Sequence, residues 1–181
     1  NSTIIFLAFK TKHKKISKQN LLINFQIILN FLQIIEIVKP KKIIFFSSIS
    51  VYGDNSNYKN LDEKSAVNPD NDYGKAKVIS ETLSLNFSKK LNFKLLIIRI
   101  PRIFGKYDYK SNYGPTKFLN DLKHNKNIYI WGDGKEKKHF LYIKDLLSIL
   151  KRIIKKDMVG LYNICPSESF SFLKLAKLTI K

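Results

Sequence analysis

The sequence predicts an open α/β sheet with mostly parallel strands, and two observations carry that expectation. Over residues 3–100, short β-rich apolar runs alternate with longer stretches whose apolar residues recur at helical spacing. Two of the runs, KKIIFFSS (41–48) and NFKLLIIRI (92–100), are apolar on both faces, as strands covered by helices on either side are. Strand, helix, strand, helix, strand then implies right-handed crossovers between parallel neighbours.

In order, TIIFLAF (3–9) is the first strand, and the chain turns polar from Lys10. A helix over 17–38 follows, with Leu21, Leu22, Phe25, Ile28, Leu29, Leu32 and Ile35 at helical spacing. Ser17 is its candidate N-cap and Pro40 its stop. After the strand at 41–48 come a polar loop, 53–72, and a helix from Tyr73 to Lys90 carrying Val78, Ile79, Leu83, Leu85 and Phe87. The strand 92–100 is the third. Beyond Gly105 the elements shorten: a helix around 115–125, strands at NIYIWG and FLYI, a helix from Asp145 to Lys155, a strand at GLYNIC and an amphipathic helix in SFLKLAKLTIK. The expected division is a larger part, 1–105, and a smaller α+β part, 106–181, some of whose elements return to the first.

Composition narrows the function classes. The formal charge is +19, yet only Arg99, Arg102 and Arg152 are arginines. Nucleic-acid readers lean on arginine for bidentate and stacking contacts, and the lysines are spread along the chain beside Asn, Ile and Phe. This is the composition of an AT-rich genome, and nucleic acid is not an expected partner. No apolar run is expected to cross a bilayer, because LLINFQIILNFLQIIEIVKP is broken by Asn, Gln, Glu and Lys. The stretch NSTIIFLAFKTKHKK puts its apolar core before its charges, the reverse of a signal peptide. The single cysteine, Cys165, excludes an internal disulfide; no metal site is expected, and the expected location is cytoplasmic. His13, His124 and His139 stand among lysines and are read as solvated, while Trp131 and Cys165 are read as packed strand ends.

The chemistry is concentrated in Tyr73-Gly74-Lys75-Ala76-Lys77. On a helix, Tyr73 and Lys77 are one turn apart and share a face. A free tyrosine is a poor base at neutral pH, and a nearby ammonium favours its phenolate. Ser48, at the end of a parallel strand where open α/β sheets bind ligands, supplies a hydroxyl for the substrate oxygen. The same spacing recurs in Tyr113-Gly-Pro-Thr-Lys117, but there it holds a proline and follows no strand ending in serine. It serves as the internal decoy.

SSISVYG followed by YGKAK resembles the extended short-chain dehydrogenase/reductase family, whose members include NAD-dependent sugar-nucleotide epimerases and dehydratases. Asn24, RIPRIFG (99–105), GDGKEKKHFLYIKDL (132–146) and GLYNIC (160–165) match further family motifs in the same order. The resemblance implies a partial Rossmann-like, doubly wound sheet with a smaller substrate-binding part, NAD or NADP as cofactor, and a nucleotide-linked sugar as substrate. It implies Tyr73 as acid/base, Lys77 as the group lowering its pKa and bonding the nicotinamide ribose, and Ser48 as the residue orienting the substrate oxygen. Ala8, Asn24, Ser47, Tyr73 and Lys77 would lie at the cofactor, and Arg102, Lys138 and Tyr52 at the substrate. A homodimer is a further expectation.

Departures qualify the match. The family's first strands and Gly-rich phosphate turn have no counterpart: none of the 7 glycines precedes Gly53. The carboxyl-terminal end is short too, so the chain reads as a fragment, a split product or a member completed by another chain, and weak or no cofactor binding is expected of it. Phe6 stands where many members have His, and Ile27-Ile28 replaces a Gly-Thr step. The Arg102 and Lys138-His139 positions differ from the family's Asn and Arg-Asp. Ile49-Ser50 replaces the Asp-Glu pair of the dehydratase branch, so epimerase or reductase chemistry is favoured over dehydration. The alternative reading is a non-catalytic member that binds a nucleotide or a partner protein.

Overall fold

The computed structural model describes residues 2–11, 18–53, 61–108 and 114–180. Ser17, His13 and Tyr113, named above, lie outside them. In chain order the elements are β1 (Thr3–Phe6), α1 (Lys18–Val38), β2 (Lys42–Ser48), a 3-10 turn (Ile49–Tyr52), α2 (Asp72–Leu91), β3 (Lys94–Ile100) and β4 (Arg102–Phe104). They continue with α3 (Pro115–Lys123), β5 (Lys137–Lys138), β6 (Phe140–Tyr142), α4 (Ile143–Lys155), β7 (Gly160–Asn163), β8 (Phe170–Ser171) and α5 (Phe172–Ile180). The chain divides into two compact units, Asn1–Ile100 with Asp157–Asn163, and Pro101–Lys156 with Ile164–Lys181.

The first unit is a parallel sheet in the order β1-β2-β3-β7. All 7 residues of β2 are buried, which is why its sequence shows no alternation. β2 and β3 pair from Lys42–Lys94 to Ser48–Ile100, so Ser47, Ser48 and Arg99 gather at the carboxyl edge. One core cluster joins Ile28, Phe31, Leu32 and Ile35 of α1 to Phe6, Ile43, Phe45, Leu95 and Ile97 of the sheet. Phe6 and Phe31 stack with centroids 3.7 Å apart. Each such side chain contributes about 1.5–3 kcal/mol by leaving water.

Two expectations about the first unit change. TIIFLAF pairs with β2 only as far as Phe6, so Leu7, Ala8 and Phe9 leave the sheet. The polar residues of α1 do not disqualify it as a span: Gln19–Val38 has the length and, at a mean hydropathy of 1.9, the apolarity to cross a membrane. Its inward face fills the core, while Leu22, Leu29 and Ile37 remain exposed on the outside.

The second unit holds α3, α4 and α5, a parallel β4–β6 pair and an antiparallel β5–β8 pair. NIYIWG forms no strand: Tyr129 and Trp131 are 77% and 82% exposed, and among the described residues no strand pairs with them. Trp131 is therefore largely exposed rather than a buried strand end, and Cys165, two residues past β7, is exposed rather than buried. His139 is half-buried, and its Nδ1 is shielded without a hydrogen-bond partner, in contrast to the exposed His124.

Candidate active site

The first turn of α2 is fixed against the end of β2 by its own sequence. Asn71 caps the helix, its side chain accepting from Gly74 N at 3.0 Å. Gly74 lies so close to the 3-10 turn that an added Cβ would sit 2.4 Å from Ser50 O and 2.9 Å from the Pro69 ring. Only glycine permits that approach, and it brings Tyr73 to the Ser48 hydroxyl. The glycine of the other Tyr-Gly pair, Gly53, has a φ of +79°, and a Cβ there would meet Asn68 O at 2.4 Å.

Tyr73 lies near enough to Ser48 for that side chain to act on its phenol. Ser48 Oγ accepts from Ser50 N and donates to Ser50 Oγ, both at 3.2 Å. Burial pushes the Tyr73 phenol up to about 12, with the Ser48 side chain opposing the rise. Lys77 is 2% exposed; its Nζ donates to Phe46 O at 2.6 Å and lies 3.5 Å from the centroid of the Phe9 ring. The Tyr73 ring centroid is 5.6 Å away. Burial pulls Lys77 down to about 7, against the raising influence of the Glu81 carboxylate. The Lys77 ammonium, which the sequence set beside Tyr73 to lower its pKa, is here held on the Phe46 carbonyl and under the Phe9 ring.

Behind the pair runs a buried polar network. Arg99 donates from Nε to Glu81 Oε1 at 3.0 Å and from Nη2 to Oε2 at 2.7 Å. Its Nη1 donates to the Tyr52 hydroxyl at 2.8 Å. That hydroxyl lies 2.9 Å from both Asp62 O and Asn163 Oδ1, and Ser47 Oγ donates to Glu81. Glu63 closes the network by accepting from Asn163 N at 2.6 Å.

The expected site residues therefore separate. Ser48 and Tyr73 meet, and Lys77 stands one turn away. Ser47, expected at the cofactor, spends its hydroxyl on Glu81; Tyr52, expected at the substrate, is 2% exposed with its hydroxyl inside the network. Asn24 is 2% exposed and clamps Lys10, accepting from its N–H at 2.7 Å and donating to its carbonyl at 3.1 Å. Ala8 is exposed. Arg102 and Lys138 belong to the second unit, where Lys138 pairs with Glu136 at 2.9 Å. Glu81, Arg99, Asn163 and Phe9 escaped the sequence reading. For one of them a signal existed: an arginine inside the apolar run LLIIRI demands a buried carboxylate.

The NAD dependent epimerase/dehydratase family model matches residues 2–165. The chain is 36% identical over 150 residues to dTDP-D-glucose 4,6-dehydratase of Dictyostelium discoideum, covering 77% of this chain and 34% of that protein. Among solved structures, UDP-N-acetylglucosamine 4-epimerase from Methanobrevibacter ruminantium M1 superposes with a TM-score of 0.86, at 23% identity over 97% of this chain and 58% of that one. The dTDP-glucose 4,6-dehydratase of Bacillus anthracis, solved in complex with NAD, gives 0.84, at 18% identity over 98% of this chain and 56% of that one. The chain spans 34% to 39% of the lengths of the dTDP-D-glucose 4,6-dehydratases it matches. The family match, the parallel sheet and the Tyr73–Ser48 contact at its carboxyl edge agree, and the chain belongs to the NAD-dependent epimerase/dehydratase family.

Proposed function

We propose that this chain carries the acid/base half of an NAD(P)-dependent enzyme that epimerises or reduces a nucleotide-linked sugar in the cytoplasm. The observation that supports this most is the gathering of Tyr73 and Ser48 at the carboxyl end of β2, with Lys77 one turn along α2. A nicotinamide dinucleotide, when bound, supplies the hydride chemistry. The residues fit it in part. Ser48 and Tyr73 gather at the sheet edge, both largely buried, and the Lys77 ammonium is covered by Phe9.

In this reading Tyr73 moves a proton to or from a sugar oxygen and Ser48 orients that oxygen. With its pKa near 12, Tyr73 is protonated at neutral pH and is set to donate to a keto oxygen. Taking a proton from a hydroxyl requires Lys77 closer to it. The relatives' names point to dehydration, but Ile49 and Ser50 have no carboxyl group for eliminating water, and the Ser50 hydroxyl is bonded to Ser48. Arg102 and Lys138 are proposed to meet the substrate diphosphate. A second copy of the chain is the proposed partner, supported by the exposed apolar residues Leu22, Leu29 and Ile37 of α1. Phe9 over Lys77 favours one alternative, a member that binds nucleotide sugar without turning it over. Incubating the natural protein with NAD and UDP- or dTDP-hexoses, and separately with nucleotide-linked 4-keto sugars and NADH or NADPH, separates these readings. An epimer or a reduced sugar supports the proposal, a 4-keto-6-deoxy sugar refutes the chemistry, and binding without product selects the alternative.

A further inference from the structure

The Lys77 ammonium is covered by an aromatic residue of this chain. Phe9 lies just past the end of β1, where the chain leaves the sheet. Its ring centroid is 3.5 Å from Lys77 Nζ, close for a cation over an aromatic face. Three other rings hold it there: Phe6 at 6.3 Å, Phe45 at 6.2 Å and Tyr73 at 6.2 Å, each edge-on. The next residue, Lys10, is fixed by both hydrogen bonds to the buried Asn24. The ring is therefore anchored from its side-chain neighbours and from its backbone.

We propose that Phe9 is a positioning residue that parks the Lys77 ammonium on the Phe46 carbonyl, so that displacing the Phe9 ring frees Lys77 to act on Tyr73 and on a dinucleotide. This rests on the dinucleotide-dependent reading above. The groups facing Lys77 are Tyr73 and Glu81 from α2, Phe9 from the segment after β1, and Phe45 and the Phe46 carbonyl from β2. Among them only Glu81 carries charge at neutral pH, and it is already committed to Arg99 and Ser47. Phe9 is thus the neighbour whose ring sets how the Lys77 ammonium is covered, and its substitution is the direct probe of that cover.

The test is a titration of the whole chain by NMR with labelled lysine and tyrosine, Lys77 assigned through Lys77→Arg and Tyr73 through Tyr73→Phe. In Phe9→Ala, water reaches the ammonium, and the Lys77 midpoint rises by roughly one unit or more while that of Tyr73 falls. In Phe9→Leu, burial persists and the ring face is lost, so the Lys77 midpoint drops by about half a unit. Circular dichroism establishes that each variant is folded; if Phe9→Ala is not, Phe9→Leu decides. A Lys77 midpoint that stays put in a folded variant overturns the proposal. So does a Tyr73 midpoint that fails to fall when Lys77 rises. Neither titration depends on turnover, so its failure leaves the acid/base reading to be judged by its own assay.

Discussion

The two ends of the β2–β3 pair carry charges in opposite ways. At the carboxyl end, Arg99 and Glu81 are 6% and 8% exposed and joined by two hydrogen bonds, and every partner in turn has a partner. At the amino end, Lys42 and Lys94 face each other in register and share the carboxylate of Asp157. There Lys94 and Asp157 are 60% and 53% exposed. The lysines' hydrogen bonds hold Asp157 down to about 2, but water screens Lys94 and Asp157, while Lys42 is buried. The difference teaches where this sheet can tolerate change. At the open end Lys94 is a loose, exchangeable charge beside the buried Lys42, whereas the sealed end is a framework that fixes Ser47, Tyr52 and Asn163 beside the candidate catalytic pair.

Substitutions at the two ends should break this contrast or confirm it. Glu81→Ala leaves the Arg99 guanidinium buried and unpaired and should cost about 3–5 kcal/mol in denaturant unfolding. If the loss is under about 1 kcal/mol, the sealed end is no framework. Lys77→Met comes next, and its effect depends on pH. Unfolded Lys77 keeps its proton to about 10.5, the folded residue only to about 7. Between these values the unfolded chain holds the extra proton, so stability rises with pH across that window and the burial penalty is full below pH 7. Lys77→Met should therefore stabilise by about 2–4 kcal/mol below pH 7 and give no gain above about pH 10.5. A gain independent of pH would mean that Lys77 is not the titrating group. Smallest of all, Lys94→Ala at the open end should leave the unfolding midpoint within the scatter of the measurement, with whatever shift remains vanishing in high salt.

The same contrast explains what could be read from residues alone. β2 and β3 were legible because burial on both faces leaves an unbroken apolar run, and α2 because Tyr73 and Lys77 fall one turn apart within a helical pattern. Phe9 was not. In TIIFLAF it reads as one more strand residue, and nothing local says that the ladder stops at Phe6 and lets the ring fold over Lys77. Glu81 looks like any acidic residue on a helix until β3 brings Arg99 against it. Trp131 misled for the opposite reason: NIYIWG has strand propensity, but such propensity has force only where a partner strand exists.

The central claim is that Tyr73 moves the proton. In the natural protein that contains this chain, turnover of a nucleotide-linked hexose with NAD or NADP is compared between the parent and Tyr73→Phe, with cofactor affinity measured alongside. The account predicts a loss of turnover of roughly 10²–10⁴-fold with cofactor affinity nearly unchanged. Turnover within a few-fold of the parent would contradict it.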